Sequence, residues 1–335
     1  GENRIYDIRD AVLSNDLHKA KEKGSVETKE IVGEYMDYLV SKIQLKRSLK
    51  IVIDCGNGAC GFIPEKIFKK LGCEVETIFG EPDGDFPNHI ADPYREENMQ
   101  DLKKKVLESG ADIGIAFDGD GDRVGLIDKR GRIISGEHQL MLLYRRVLKE
   151  VKGKIVMEVR TSKVALGDIE KHGGEPVMAV AGHAYVLDSV FKEKAVFGGE
   201  TTGHIYFPKH YYDYDDGIFT ALKLAEVVAE NEDFEKCIDE LPVAFASKEY
   251  FLDCSDEEKA GRMGSLADYL RENEYDFLDI DGVRINFPNG WALARPSNTT
   301  PHIKCRMEGD TLEDLKDIEA KARELFGKFD INIEE

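Results

Sequence analysis

Positive charge is scarce in this chain. Its 335 residues hold 46 Lys and Arg against 66 Asp and Glu, a formal net charge of −20. Recognition of a phosphate backbone needs a cationic face, and no run of Lys and Arg is long enough to build one, so nucleic acid is not expected as a partner. Any anionic ligand must instead be met by a few local cations or by a metal. Paired cysteines are also lacking: Cys55, Cys60, Cys73, Cys237, Cys254 and Cys305 are scattered, with no C-x-x-C and no histidine at zinc-ligand spacing. They read as reduced thiols, which makes the cytoplasm the expected compartment. No apolar run approaches the roughly 18 residues of a membrane span, and no signal peptide opens the sequence. A soluble protein without a membrane partner is expected.

What is present is an alternation of strands and helices. Residues 1–28 are polar and irregular and read as a linker. From Glu30, the apolar positions Ile31, Tyr35, Leu39 and Ile43 recur every four residues and predict a helix. "LKIVIDCGNGACG" then gives a short strand running into a glycine loop, "IPEKIFKKLG" a helix stopped by Gly72, and "CEVETIF" a strand. After a turn-rich loop come the helix "EENMQDLKKKVLESG" and the strand "ADIGIAF". Such an order implies a parallel or mixed sheet with right-handed crossovers. It then repeats: "KIVMEVRTSKVALGDIEKHGGEPVMAV", from Lys154, parallels the segment from Lys50 in order and spacing. Near Leu241 the composition changes to strands bracketed by the helices around "GSLADYLREN" and "LEDLKDIEAKARELFGKF". The fold class expected is α/β, two tandem similar α/β domains with mixed or parallel sheets, followed by a C-terminal α+β domain. The boundaries drawn are 29–150, 151–241 and 242–335.

Three loops carry chemistry. "GIAFDGDGDRVG" sets Asp118, Asp120 and Asp122 at alternate positions directly after a buried strand, where open α/β sheets place their ligands. Three clustered carboxylates repel one another unless a cation compensates. Converging hard oxygens suit Mg²⁺, which keeps open positions for water or a phosphate oxygen. An EF-hand also begins D-x-D-x-D but needs Gly sixth and Glu twelfth; those places hold Arg123 and Lys129. In "GGETTGH", Glu200, Thr202 and His204 alternate and present polar ends together, an arrangement suited to sugar hydroxyls; a turn whose side chains satisfy nearby backbone is the plain alternative. In "RPSNTTP", Arg295 supplies a charged fork and Ser297, Asn298 and Thr299 supply further donors for a phosphate, against the alternative of a rigid surface turn. Gly56, Gly58 and Gly61 also satisfy G-x-G-x-x-G after a strand, with Glu76 and Glu81 about twenty residues on. That pattern leaves a dinucleotide-dependent oxidoreductase open, although glycines also serve simply to turn a strand sharply into a helix.

In this order, the three loops resemble those of the α-D-phosphohexomutase family, phosphomannomutase/phosphoglucomutase branch, from about residue 25 to the end. "FDGDGDR" resembles the family's Mg²⁺ loop, which implies Asp118, Asp120 and Asp122 as metal ligands and Arg123 as a catalytic cation. "GETTGH" resembles the sugar loop, with Thr202 in the place of a Ser, and "RPSNTTP" the phosphate loop, with Thr300 where Glu is usual. "GNGA" and "YDYDDGIF" are further similar segments. The resemblance covers the second to fourth of the family's domains. It implies that the first domain, with its catalytic phosphoserine, is supplied separately or deleted; Ser162 in "EVRTSKVAL" lies in the third-domain equivalent and is not a substitute. Val180 stands where the family commonly has a Lys. The implied activity is interconversion of hexose 1-phosphate and hexose 6-phosphate through an enzyme phosphoserine and a bisphosphate, with this chain inactive or nearly so by itself. A degenerate phosphosugar-binding protein is the alternative that Val180 and Thr300 motivate.

Overall fold

The computed structural model describes residues 2–17, 19–297 and 300–333. These fall into two compact units, residues 1–35 and 36–335. The first contains helix α1 (Glu2–Leu13), which corrects the expectation that residues 1–28 are irregular throughout. Ile8 and Val12, four apart among good helix formers, give the local reason.

Helix α2 (Val32–Ser41) leads into the first sheet: β1 (Lys50–Asp54), α3 (Ile63–Lys70), β2 (Glu74–Ile78), α4 (Gln100–Ser109), β3 (Ile113–Phe117), β4 (Val124–Asp128), β5 (Ile133–Ile134) and then α5 (Gly136–Glu150). The β-branched run of β1 is buried on both faces, as a central strand requires. Gly110, in the left-handed region at φ 65°, ends α4 where a side chain would be strained. The strand order is β2-β1-β3-β4-β5. β1 is parallel to β2 and β3, whereas β4 runs antiparallel to β3.

The pattern repeats in β6 (Lys154–Glu158), α6 (Lys163–Lys171), β7 (Glu175–Ala179), α7 (His183–Lys192), β8 (Phe197–Gly199) and β9 (Ile205–Tyr206), followed by α8 (Gly217–Glu230) and α9 (Phe234–Asp239). Here the order is β7-β6-β8-β9, again parallel except for the last strand. Both sheets therefore reverse direction at the same place, beside the first strand of each repeat, and open sheets bind ligands in the crevice formed there. The loops after β1 and β3 meet at the first crevice and those after β6 and β8 at the second.

The last sheet is built from β10 (Phe245–Ala246), β11 (Tyr250–Asp253), α10 (Asp256–Glu272), β12 (Phe277–Leu278), β13 (Val283–Phe287), β14 (Gly290–Pro296), β15 (His302–Gly309) and α11 (Leu312–Gly327). Its pairings are all antiparallel, and β15 joins β10, β11 and β14. Leu266 and Leu270 of α10 and Ile318, Ala322 and Phe326 of α11 fill its core. A mixed α/β fold of tandem similar sheets with an α+β unit after them is what the residues predicted. Among the described residues, no helix is long and apolar enough to cross a membrane.

Candidate active site

The aspartate loop leaves β3 at the first crevice. Asp118 is 2% exposed. Its Oδ1 accepts from the backbone N–H groups of Gly121 (3.0 Å) and Arg123 (3.1 Å), and its Oδ2 from Arg123 Nε (2.7 Å). The loop is thus folded around its own first carboxylate, and Gly121, at φ 81°, supplies the left-handed turn. Asp120 is exposed, and Asp122 is half-buried. Asp122 Oδ1 is buried without a hydrogen-bond partner. Burial pushes the Asp122 carboxyl up to about 7; His204 opposes the rise, and Asp118 and Asp120 add to it. Ligand oxygens of the three aspartates lie within 4.8 Å of one another. An orphaned oxygen among three carboxylates whose charges disfavour one another is a donor set that fits a hard divalent cation.

The glycine loop after β1 supports this one from behind. Ala59 N donates to Gly119 O (2.8 Å). A Cβ on Gly58 would stand 2.8 Å from the carbonyl oxygens of both Asp118 and Gly119, and one on Gly56 2.8 Å from Ala91 Cβ. Gly58 is present because the aspartate loop's backbone occupies the space above it. That packing accounts for Gly56 and Gly58 without a dinucleotide.

The hydroxyl-rich loop leaves β8 at the second crevice and is closed by the hydrogen bonds Gly203 N to Glu200 O and Glu200 N to His204 O, both 2.9 Å. Glu200 is buried; its Oε1 accepts from Gly182 N (2.7 Å), and burial raises its carboxyl above the ordinary range. Thr202 is half-buried on the loop. His204 Nδ1 lies 2.7 Å from Asp215 Oδ2 and 3.5 Å from Asp122 Oδ2. Burial works against the imidazolium, but the Asp215 hydrogen bond and the Asp122 charge hold the His204 imidazole above its ordinary value. The structure thus brings the second sheet's loop against the first sheet's aspartates. Gly217, at the start of α8, makes the approach possible: its N–H donates to Gly121 O at 3.1 Å, and a Cβ there would meet that oxygen at 2.6 Å.

Arg295, next to last in β14, is 5% exposed. Its Nε donates to Asp281 Oδ2 (2.8 Å), the same oxygen that accepts from Ala181 N (3.0 Å). Arg295 is therefore one carboxylate away from the 180–183 segment, whose Gly182 in turn holds Glu200. Ser297 is buried; its Oγ accepts from Thr300 Oγ1 (2.8 Å), and Lys259 Nζ donates to the carbonyls of Ser297 (3.1 Å) and Thr300 (2.6 Å). Asn298 and Thr299 lie outside the described residues. Among the described residues, Arg295 is linked to the hydroxyl-rich loop through Asp281 and the 180–183 backbone.

Ser162 is 2% exposed and caps α6, its Oγ accepting from Val164 N (3.0 Å), a structural use of the side chain. Val180 is half-buried just past β7. Several residues beyond those singled out also line the site. Arg160, after β6, pairs with buried Glu158 (Nε to Oε2, 2.9 Å), and Thr201 Oγ1 donates to Glu158 Oε1 (2.7 Å), tying β6 to the hydroxyl-rich loop. His183 opens α7, its Nδ1 3.7 Å from Asp215 Oδ2. Asp215 lies in "YDYDDGIF", a segment noted for its resemblance but without a spacing signal, and His183, three residues past Val180, had no signal of its own. Asp281 and Lys259 had no local signal at all.

Two similar α/β sheets presenting facing loops, and an α+β unit carrying an arginine loop, define an architecture found in phosphosugar mutases. The chain superposes on a crystal structure of a phosphoglucomutase/phosphomannomutase family protein from Burkholderia thailandensis with a TM-score of 0.91 and 33% identity, over 99% of this chain and 71% of that one. Models of phosphoglucomutase/phosphomannomutase match at residues 33–131 (alpha/beta/alpha domain II), 135–245 (alpha/beta/alpha domain III) and 227–325 (C-terminal domain). The chain belongs to the phosphoglucomutase/phosphomannomutase family. It is 37% identical to the phosphomannomutase/phosphoglucomutase of Pseudomonas syringae pv. tomato, over 94% of this chain and 68% of that protein. It is also 37% identical to a phosphoglucomutase of Neisseria gonorrhoeae, over 90% of this chain and 66% of that protein.

Proposed function

We propose that this chain carries the metal, sugar and distal-phosphate sites of a hexose phosphate mutase and that, by itself, it binds hexose phosphates with little or no turnover. The observation that supports this reading best is the approach of His204 to Asp122, 3.5 Å apart on loops of different sheets. It sets hydroxyl-gripping side chains beside a cation-ready acidic group, the juxtaposition that phosphoryl transfer to a sugar oxygen requires.

In this reading, Asp118, Asp120 and Asp122 hold Mg²⁺, which supplies neutralisation of charge on transferring phosphoryl oxygens when bound. Arg123, fixed by Asp118, adds a second positive contact at the same place. Glu200, Thr202 and His204 hold sugar hydroxyls and so decide which oxygen faces Arg123. Arg295, Ser297, Asn298 and Thr299 bind the phosphate at the far end of the sugar, so that hexose 1- and 6-phosphates can both be seated. The donor of the phosphoryl group is a phosphoserine on the family's first domain, outside the matched domains II to IV.

The test has two arms. Calorimetric titration of glucose 6-phosphate into the chain with saturating Mg²⁺ is expected to show binding that Arg295→Ala weakens at least tenfold. Conversion of glucose 1-phosphate to glucose 6-phosphate by the same sample is expected to be near background. Robust turnover would remove the inactivity claim, and absence of any binding would remove the site assignment.

A further inference from the structure

A second cluster overlaps the aspartate triplet and the sugar loop, sharing Asp122 and His204 with them and adding His183 and Asp215, to which no role has been given. Asp122, His183, His204 and Asp215 each offer a ligand atom, and all four atoms lie within 4.8 Å of one another. They come from four places: the aspartate loop, the start of α7, the hydroxyl-rich loop and the turn before α8. Around Asp215 Oδ2 the distances are 2.7 Å to His204 Nδ1 and 3.7 Å to His183 Nδ1, and His204 Nδ1 stands 3.5 Å from Asp122 Oδ2. A tetrahedral zinc ion with bonds of about 2.0–2.1 Å separates its ligand atoms by about 3.3 Å. Three of the six separations, 2.7, 3.5 and 3.7 Å, straddle that value, and the other three do not exceed 4.8 Å, so the cluster is close to tetrahedral spacing without being closed on an ion. Two neutral imidazoles with two carboxylates also give the −2 charge that balances a divalent ion. Asp215 has the outer support such ligands usually have, since Tyr206 Oη donates to its Oδ2 at 3.3 Å.

We propose that Asp122, His183, His204 and Asp215 form a second metal site, selective for zinc-like ions over Mg²⁺, whose occupation draws His204 away from the sugar. Imidazole nitrogen suits zinc and is a poor ligand for magnesium, whereas the all-oxygen triplet has the opposite preference. The two sites share Asp122, whose Oδ2 is turned to His204 while its Oδ1 lies 3.8 Å from Arg123 Nε. The inference goes beyond the mutase reading, and only its last clause, competition with sugar, rests on that reading.

The experiment uses the full chain, stripped of metal and then held in excess Mg²⁺. Titration with Co²⁺ is expected to give about one tight equivalent with the intense visible absorption of a four-coordinate ion, bleached by Zn²⁺. His183 is 60% exposed on its side chain, so His183→Ala should fold normally; it is expected to weaken Zn²⁺ binding at least tenfold and leave Mg²⁺ uptake unchanged. Asp215→Asn is expected to do the same. Zn²⁺ uptake that survives His183→Ala and is lost with Asp120→Asn would place the ion in the triplet and overturn the proposal, as would Co²⁺ spectra of octahedral intensity. Glucose 6-phosphate is expected to lower the apparent Zn²⁺ affinity. If the sugar does not bind at all, the mutase reading fails while the Zn²⁺ and Co²⁺ titrations still decide the site.

Discussion

His89 shows how much one side chain can depend on a partner far away in sequence. Its Nε2 lies 3.1 Å from Asp54 Oδ2 and its Nδ1 2.9 Å from Ile90 O, so both ring nitrogens face acceptors and the doubly protonated ring is favoured. The Asp54 hydrogen bond, against some cost of burial, pushes the imidazole up to about 9. A pKa raised on folding contributes stability that is fully present below the unfolded value, near 6.5, and disappears as pH rises through about 9. After allowance for solvent screening we expect His89→Gln to cost about 1–2 kcal/mol near pH 6, and the gap to close by about pH 10, as read from urea unfolding. A gap that stays constant with pH would place the effect in packing against Phe79, whose ring meets His89 edge-on. At this scale the sequence was legible where chemistry is written in spacing, as in Asp118, Asp120 and Asp122. It was illegible for Asp54 with His89, Arg295 with Asp281, or Lys259 with the loop after β14, because each pair is made by folding.

Among elements, the clearest lesson lies in the loop after β1. The sequence showed its glycines but not their purpose, and the parallel pairing of β1 with β3 supplies it by setting that loop directly behind the aspartates. We expect Gly58→Ala, whose new methyl would meet two carbonyl oxygens at 2.8 Å, to displace the aspartate loop. The measurable result would be a loss of Mg²⁺ affinity of at least tenfold in calorimetry, with a stability cost of about 1–3 kcal/mol. Unchanged metal affinity would mean that the loop's geometry is set by Asp118 and Arg123 alone. The repeat of β1-to-β3 in β6-to-β8 was readable from matching segments; the antiparallel strands β4 and β9 that finish each sheet were not, since a buried apolar strand has no mark of direction.

At the scale of the whole 36–335 unit, the last sheet meets the loops after β6 and β7 at a junction that periodicity does not reveal. Arg284 of β13 is 2% exposed, donates through Nη1 to the carbonyls of Val159 and Thr161 beyond β6, and stacks at 4.1 Å on Trp291 of β14. Trp291 and Leu293 share a small core with Val159 and Ala181, so the last sheet is seated on the loops that lead to Glu200 and Arg160. Burial lowers the Arg284 guanidinium to about 10. We expect Arg284→Ala to cost about 3 kcal/mol, since it strands buried carbonyls and opens a void. Trp291 is the chain's one tryptophan, so its fluorescence reports this junction alone. In the variant, that signal should shift to lower urea than the far-UV circular dichroism; coincident curves would show that the junction does not separate first.

The sequence by itself determined the strand and helix alternation, the tandem repeat, and the identity of the aspartate, hydroxyl-rich and arginine loops, because each is written in residues close along the chain. Only the tertiary structure decided that His204 faces Asp122, that Gly58 backs the aspartates, that Asp281 links Arg295 to the 180–183 segment, and that two histidines converge on Asp215. Those relations join residues tens to over a hundred positions apart, and distance in space between such groups is set by sheet order and packing, which local pattern does not encode.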